Sequence, residues 1–299
     1  MIGFVVNPAA GNGKGEKVWN SLESILRQQG VVYRVRRTSS EGEAETLAIE
    51  LIEKEEVKMI VAVGGDGTVS EVVNGIYEAG KECTLGHVPA GSGNDFARGH
   101  GLPKDPAQAI ERILSKTREK CIDLLKINGR VAVNSVGAGF DGQVAKTTNE
   151  AGYKKWLNRL RLGKLAYIWS VIRVLCTYCP CDVTLLIDGQ VHQMKRIWLI
   201  AIANIPNYGG GMLICPQALP DDGVAEICVV QNVTRLGLLF AFPRIFTGAH
   251  VDHPNVVFLR GRQITIESEQ PLLVHADGEM AAQTPIYVEI EAGKLRICG

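Results

Sequence analysis

Two glycine-rich segments hold the residue types most able to do chemistry in this 299-residue chain: Gly64-Gly65-Asp66-Gly67-Thr68 and Pro89-Ala90-Gly91-Ser92-Gly93-Asn94-Asp95-Phe96. Each directly follows a strand-like run, and about one strand-helix-strand unit separates them. Glycine lets backbone N–H groups reach phosphate oxygens without a Cβ in the way, and a helix starting at Thr68 adds its positive end to the same anion. Asp66 then sits beside like charge unless a divalent cation lies between. The pair of loops therefore points to a nucleoside triphosphate with Mg2+, where one loop alone would read as an ordinary tight turn.

The flanking pattern supplies the elements that position these loops. Ile2 to Val6 is a short apolar run, and Val18, Leu22, Ile25 and Leu26 follow at helical spacing until Gly30. Val31 to Val35 reads as a strand. Ser40 with Glu43 has the form of a capping box before a helix with Ala44, Leu47, Ala48, Leu51 and Ile52 on one face. Val57 to Val63 is the expected buried central strand, and Thr68 with Glu71 forms a second capping box for a helix ending at Gly80. Thr84 to Val88 gives another strand, and Asp105-Pro106 starts a helix. Both glycine loops thus leave the carboxyl ends of strands in an α/β domain, where open sheets bind ligands.

After Cys121 the texture changes to hairpins. Ile122 to Ile127, an Asn128-Gly129 turn and Val131 to Val136 come first. Further strands are expected at Val183 to Ile187, Ile197 to Ala203, Ala225 to Val230, Val256 to Leu259, Ile264 to Glu267, Leu272 to His275 and Ile286 to Ile290. Many short strands favour an all-β sandwich with inserted helices. The expected division is an α/β nucleotide-binding domain over 1–121 and a β-sandwich substrate domain over 122–299, packed around a shared cleft because no linker separates them.

Composition narrows the classes. Lys plus Arg and Asp plus Glu are both 32, so the net charge is zero and no global field argues for nucleic acid as a partner. No apolar run approaches the roughly 18 residues of a spanning helix, and the start lacks signal-peptide features. A cytoplasmic protein is expected. Among the eight cysteines, Cys83, Cys121, Cys215, Cys228 and Cys298 fall in apolar patterns and read as buried; Cys176, Cys179 and Cys181 lack the ligand set of a zinc site. His250 and His253 read as ordinary loop residues.

The segment from Tyr153 to Arg173 carries six cations and no acid among Trp, Leu, Tyr and Ile. Residues 153–173 suit either an interfacial helix on an anionic membrane or a helix packed on the β-domain with a basic outer face. Leu236 to Phe246, with three Phe, suits either a lipid pocket or the core.

At GGDGT (64–68), PAGSGNDFA (89–97), Asn7-Pro8, Ile122-Asp123, NSVGAGFDGQVA (134–145), Pro216 to Gly223 and Asp277-Gly278-Glu279, the chain resembles the diacylglycerol kinase catalytic family, with its sphingosine and ceramide kinase relatives. GGDGT alone also resembles NAD kinases and phosphofructokinases, whose nucleotide fold the first domain should share. The resemblance spans nearly the whole chain. It implies transfer of phosphate from ATP, with Mg2+, to a lipid hydroxyl at a membrane surface, diacylglycerol foremost, with peripheral membrane association. A homodimer is compatible with it.

Residue by residue, the resemblance implies nucleotide contacts at Asn7, Pro8, Ala9, Ala10, Gly11, Thr38, Gly64, Gly65, Asp66, Gly67, Thr68, Val69, Ser70 and Ser92, with Glu279 near the nucleotide. Asp66 would hold Mg2+ for catalysis. Asp277 matches the family's general base, and a carboxylate with an ordinary pKa of about 4 is ionised at neutral pH and ready to accept a proton. Without the resemblance, Asp277-Gly278 is a hairpin turn. A second cation site is implied at Asp222 with the carbonyls of Leu219 and Val224; the residues alone read as a Pro-Asp-Asp-Gly turn. Glu43 stands where many bacterial members carry His, and the second loop mixes sphingoid-type Ser92 with diacylglycerol-type Asn94 to Arg98, which leaves the acceptor open between diacylglycerol and sphingoid bases or ceramide. An NAD kinase-like enzyme and a nucleotide-sensing module without catalysis are the other readings.

Overall fold

The computed structural model describes residues 1–150 and 163–299, with side chains described outside 148–150 and 163–169. The reading of 153–173 therefore lies largely outside the described residues. The chain forms two compact units, Met1–Leu124 with Glu291–Gly299 and Leu125–Ile290. The expected boundary places the C-terminus in the second domain. The second half of the last strand instead returns to the first unit, where Ile297 and Cys298 pair in parallel with Leu85 and Gly86.

The first unit alternates strand and helix: β1 Ile2–Val6, α1 Ala10–Gln28, β2 Tyr33–Arg37, α2 Glu43–Lys54, β3 Met59–Gly64, α3 Asp66–Ala79, β4 Thr84–Pro89, α4 Asp95–Gly99 and α5 Pro106–Ser115. β1 pairs in parallel with both β2 and β3, and β3 with β4. The strand order β4-β3-β1-β2 means that the chain reverses direction across the sheet between β1 and β3. That reversal is the crevice where open α/β sheets receive ligands.

Phe4, Val61 and Val63 pack against Trp19 and Leu22 of α1 and Ile110 and Ile113 of α5, burying the stripe that the period of α1 sets out. The rings of Phe4 and Trp19 lie 5.2 Å apart. α2 and α3 pack together so closely that a Cβ on Gly75 would lie 2.5 Å from the Glu45 carbonyl oxygen. Asp105 caps α5 by accepting the N–H groups of Ala107 and Gln108, as its sequence requires.

Several expected starts differ, and β3 begins at Met59 rather than Val57. β2 begins at Tyr33 rather than Val31. The Thr68–Glu71 capping box does not form: α3 begins at Asp66, and the Glu71 carboxylate accepts the Ala44 N–H of α2 at 3.0 Å. The Ser40–Glu43 box does not cap α2 either: the N-cap is Gly42, and Glu43, the first helical residue, accepts the N–H groups of Ser39 and Ser40 in the preceding turn.

The second unit is antiparallel. β5 Glu119–Ile127 enters it and turns at Asn128-Gly129, both at positive φ, into β6 Arg130–Ala132. β7 Ser135–Gly139, α6 Phe140–Glu150, α7 Gly163–Thr177, β8 Cys181–Ile187, β9 Gln190–Ala203, β10 Ala225–Gln231, α8 Arg235–Ala241, a 3-10 turn Phe242–Phe246, β11 Val256–Gly261, β12 Gln263–Ser268, β13 Leu273–Ala276, β14 Glu279–Gln283 and β15 Ile286–Cys298 follow. The long β9 pairs with β8 through its first half and with β7 and β10 through its second. One cluster joins Val136, Ile200, Ile227 and Val274 to Leu185, Ile264, Ile266 and Val288, the filling of a sandwich. A second cluster covers the other face of β9 and β10 with Leu175, Tyr208, Met212 and Ile214.

The single strand expected over Val131 to Val136 breaks after Ala132, because the N–H groups of Val133, Asn134 and Ser135 turn toward the Asp277 carboxylate. All eight cysteines are free; Cys121 faces solvent on β5, while Cys181 is buried.

Candidate active site

In the first unit the strand ends bring the loops together. Beyond their last residues, Asn7 N–H bonds Val63 O, Thr38 N–H bonds Val6 O and Ala90 N–H bonds Gly64 O, all within 2.9 Å. Asn7, Thr38, Gly64 and Ala90 therefore lie in one row at the carboxyl edge of the sheet. Asn7 ties three segments: its Oδ1 accepts from Ala9 and Ala10, and its Nδ2 donates to Thr68 Oγ1 at 3.0 Å. Gly11, Asn12 and Gly13 then run at positive φ before α1 becomes regular, bringing Gly11 against the Ala90 carbonyl. A Cβ on Gly91 would lie 2.5 Å from the Gly65 Cα, so the two glycine loops touch backbone to backbone and Gly91 has no room for a side chain.

The helix start sharpens which donors face an anion. With Gly65 at the N-cap, the N–H groups of Asp66, Gly67 and Thr68 are those left over in the first turn. Val69 N–H is already bonded to Gly65 O, and Val69 and Ser70 are buried in the helix body, so these two support the loop from behind. Asp66 Oδ1 accepts the Phe96 N–H at 2.9 Å, and its other oxygen has no hydrogen-bond partner among the described residues. A carboxylate oxygen left over at the glycine loop fits a hard cation that keeps several waters. Pro8 and Ala9 line the first loop, and Ser92 stands exposed at the tip of the second, which Asn94 closes by bonding Gly91 through both side-chain atoms.

Sequence reasoning missed the packing beneath. His87 Nε2 sits 3.3 Å from Gly64 O, and the Phe96 ring lies between His87 and His100, 5.5 and 4.4 Å away. Burial lowers the His87 pKa and pushes that of His100 down to about 3, so both are neutral supports of the loops at pH 7. Periodicity marks them only as core positions.

The second unit holds the acid end. Asp277 and Gly278 form the β13–β14 turn at φ +51° and +89°. The Asp277 carboxylate accepts Val133 N–H and Asn134 N–H at 2.8 Å and Ser135 N–H at 3.1 Å, which fixes its plane. Gly278 N–H donates to His275 Nδ1 at 3.2 Å, His275 Nε2 donates to Asp141 Oδ2 at 2.8 Å, and Tyr208 donates to the same oxygen at 2.7 Å.

Burial opposes the charged ring of His275, but Asp141 outweighs it and raises the pKa; burial likewise opposes the Asp141 carboxylate, but His275 and Tyr208 outweigh it and lower that pKa. Burial, then Asp141, raises the Tyr208 pKa well above its ordinary value. Gly137 is required here, since a Cβ would run into His275 and Asp141. Asp141 lies inside the NSVGAGFDGQVA motif, where sequence alone gives it no role, and the spacing of His275 to Asp277 is the only local signal of the pair.

Asp141 and Tyr208 are also wall residues of a cavity of about 180 Å³ within this unit, otherwise lined by Phe140, Val144, Trp198, Phe242 and other apolar side chains. Glu279 opens β14 opposite Ala276. At the Asp222 turn, Arg260 is ion-paired with one carboxylate oxygen and the other accepts the Val224 N–H at 3.2 Å, while Leu219 is exposed. No group of three or more His, Cys, Asp or Glu able to hold a metal occurs among the described residues, and no described helix is long and apolar enough to cross a membrane.

Residues 1–127 match the diacylglycerol kinase catalytic domain, and residues 134–299 match the YegS C-terminal NAD kinase beta sandwich-like domain. The chain is 31% identical to the "Putative lipid kinase YtlR" of Bacillus subtilis over 98% of both chains. It is 31% identical to a diacylglycerol kinase of Mycobacterium tuberculosis over 98% of this chain and 93% of that one. The crystal structure of "a putative diacylglycerol kinase" from Bacillus anthracis superposes with a TM-score of 0.82 at 27% identity, covering 99% of this chain and 96% of the other. With the phosphate-type loops on the first unit and the Asp277 turn, backed by the buried His275, on the second, the chain belongs to the diacylglycerol kinase catalytic family and is a lipid kinase.

Proposed function

We propose that the protein transfers the γ-phosphate of ATP, with Mg2+, to the hydroxyl of a membrane lipid, diacylglycerol giving phosphatidic acid. The observation that carries the acceptor is the apolar cavity whose only ionisable wall residues among those described, Asp141 and Tyr208, connect through His275 to the turn bearing Asp277. An apolar chamber ending in a fixed polar network suits an acyl chain with a hydroxyl at one end. A soluble dinucleotide would bring charge into that chamber, which disfavours the NAD kinase-like reading.

On the donor side, Asn7 to Gly11, Thr38, Gly64 to Thr68 and Ser92 would hold the nucleotide, and Asp66 would hold Mg2+ through the oxygen that Phe96 does not use. Bound there, the cation would neutralise charge on the transferring phosphate. The chain itself aims the N–H groups of Asp66, Gly67 and Thr68 at the same oxygens. Asp277, its plane fixed by three backbone donors, accepts the lipid hydroxyl proton as the oxygen attacks. Phosphoryl transfer depends mostly on such positioning and on charge stabilisation. Val69 and Ser70 act as the buried support of the loop, and Glu279 beside Asp277 remains the nucleotide-proximal acid that the family pattern implies.

The test is transfer from γ-labelled ATP to a panel of diacylglycerol, sphingosine, ceramide and NAD. Label in phosphatidic acid is the expected result. Label in NAD alone would move the protein to a soluble-nucleotide kinase, and label in the sphingoid products alone would replace the acceptor.

A further inference from the structure

α8 and the 3-10 turn after it have two apolar faces. Leu238, Phe242 and Ile245 wall the cavity, while Leu236 and Phe240, one helical turn apart, are 68% and 76% exposed, and Phe246 is 53% exposed. Surface helices turn charged residues outward, and this one does the reverse. The two faces are continuous: Leu239 lines the cavity and is exposed, and the ring of Phe242 lies 6.0 Å from that of Phe246, edge to face. Apolar surface therefore runs without interruption from the chamber to solvent. From Val233 to Val251 there is no Asp or Glu, and both charges are positive, Arg235 and Arg244. Arg235 is committed to the Leu175 and Tyr178 carbonyls, while Arg244 is exposed.

We propose that the outer face of α8 and the 3-10 turn docks on an anionic lipid bilayer, so that the acceptor passes from the membrane over Leu239 and Phe242 into the cavity. Isolated exposed apolar residues are commonplace, but a contiguous group beside an apolar cavity marks an interaction site. A bilayer fits it better than a protein partner does, because the group opens onto a chamber shaped for acyl chain and no acid stands in the way of anionic head groups. The proposal rests on the lipid-acceptor reading above, and its test separates the two.

The double variant Leu236→Ser/Phe240→Ser, which leaves the cavity wall intact, is compared with wild type in flotation with vesicles of equal parts phosphatidylcholine and phosphatidylglycerol. Removing two inserting side chains should weaken vesicle binding at least about tenfold. Turnover on a short-chain, water-soluble diacylglycerol should stay within about twofold of wild type, while turnover on long-chain diacylglycerol in vesicles falls about tenfold. A Phe240→Trp variant reports independently: its emission should shift to the blue on adding vesicles, relative to the wild-type spectrum. Equal flotation of wild type and double variant, or Phe240→Trp emission that responds to vesicles no more than wild type does, overturns the proposal. So does a dimer that the double variant dissociates while vesicle binding is unchanged, which would make the patch a face for a second copy. Patch-dependent vesicle binding without phosphate transfer to any lipid would keep the docking face and sink the kinase acceptor instead.

Discussion

Two Asp-Gly turns in the second unit have almost the same geometry and different surroundings. Asp188-Gly189 joins β8 to β9 at φ +48° and +84°, and Asp277-Gly278 joins β13 to β14 at +51° and +89°. In both, the aspartate N–H is bonded to a strand carbonyl, Gln263 O or Ser135 O, and the carboxylate accepts consecutive backbone N–H groups, Arg262 and Gln263 or Val133 to Ser135. The Asp188 turn is exposed and ends there. The Asp277 turn continues through Gly278 N–H to His275, Asp141 and Tyr208 at the cavity wall. The carboxylate and its turn are thus a structural device that this chain uses twice; what sets one apart is the buried polar chain behind it.

Substituting the aspartates should separate the two turns most. Asp188→Asn and Asp277→Asn each place an amide N–H against backbone donors and should each cost about 1–3 kcal/mol in denaturant unfolding. Only Asp277→Asn should lower kcat, by roughly a hundredfold or more. A matching loss of kcat in Asp188→Asn would erase the distinction between the turns.

The next effect tests the polar chain. His275→Gln keeps a donor for Asp141 but withdraws the acceptor from Gly278, and should lower kcat about tenfold with little change in KM, as loss of a positioning contact does. His275→Asn, whose Oδ1 can take the place of Nδ1, should recover part of that loss. If both variants change KM alone, the chain does not reach the chemistry.

Smaller effects follow at the glycines and in pH. Gly189→Ala and Gly278→Ala both force a Cβ into left-handed backbone and should each cost about 1 kcal/mol, and only Gly278→Ala should also lower kcat. For pH, the folded-state pKa of His275 lies above its ordinary value, so its contribution to stability is fully present below about pH 6.5 and is lost as pH rises through the raised value. The unfolding free energy of wild type minus that of His275→Asn should therefore shrink from about pH 6 to pH 8. A gap that is flat or widens over that range would contradict the Asp141 pairing.

The donor loops are legible in sequence because glycine, turn and strand signals are local: GGDGT and GSGND sit where the strand ends put them, and the sheet reversal between β1 and β3 explains why the pair must meet. The start of α3 departs from its capping-box signal because Glu71 finds Ala44 on a neighbouring helix, a tertiary partner that outcompetes a local cap. Most strands of the second unit follow from alternation, but the break after Ala132 does not, since its cause is an aspartate more than 140 residues away in the chain. The His275–Asp141 pair is hidden for the same reason. The two-faced helix carries apolar residues on both sides, so periodicity leaves pocket and core undivided until burial separates Phe242 from Phe240.

Steady-state loss in Asp277→Asn could arise from a collapsed turn as well as from a missing base, so the most direct measurement is a single turnover. Enzyme with labelled ATP and Mg2+ prebound is mixed with excess diacylglycerol, and nucleotide affinity is measured on the same samples. The expected result is ATP affinity within about twofold of wild type and phosphate transfer slowed at least about a hundredfold in Asp277→Asn, with Asp188→Asn transferring at the wild-type rate. Transfer at the wild-type rate in Asp277→Asn would contradict the role given to that turn.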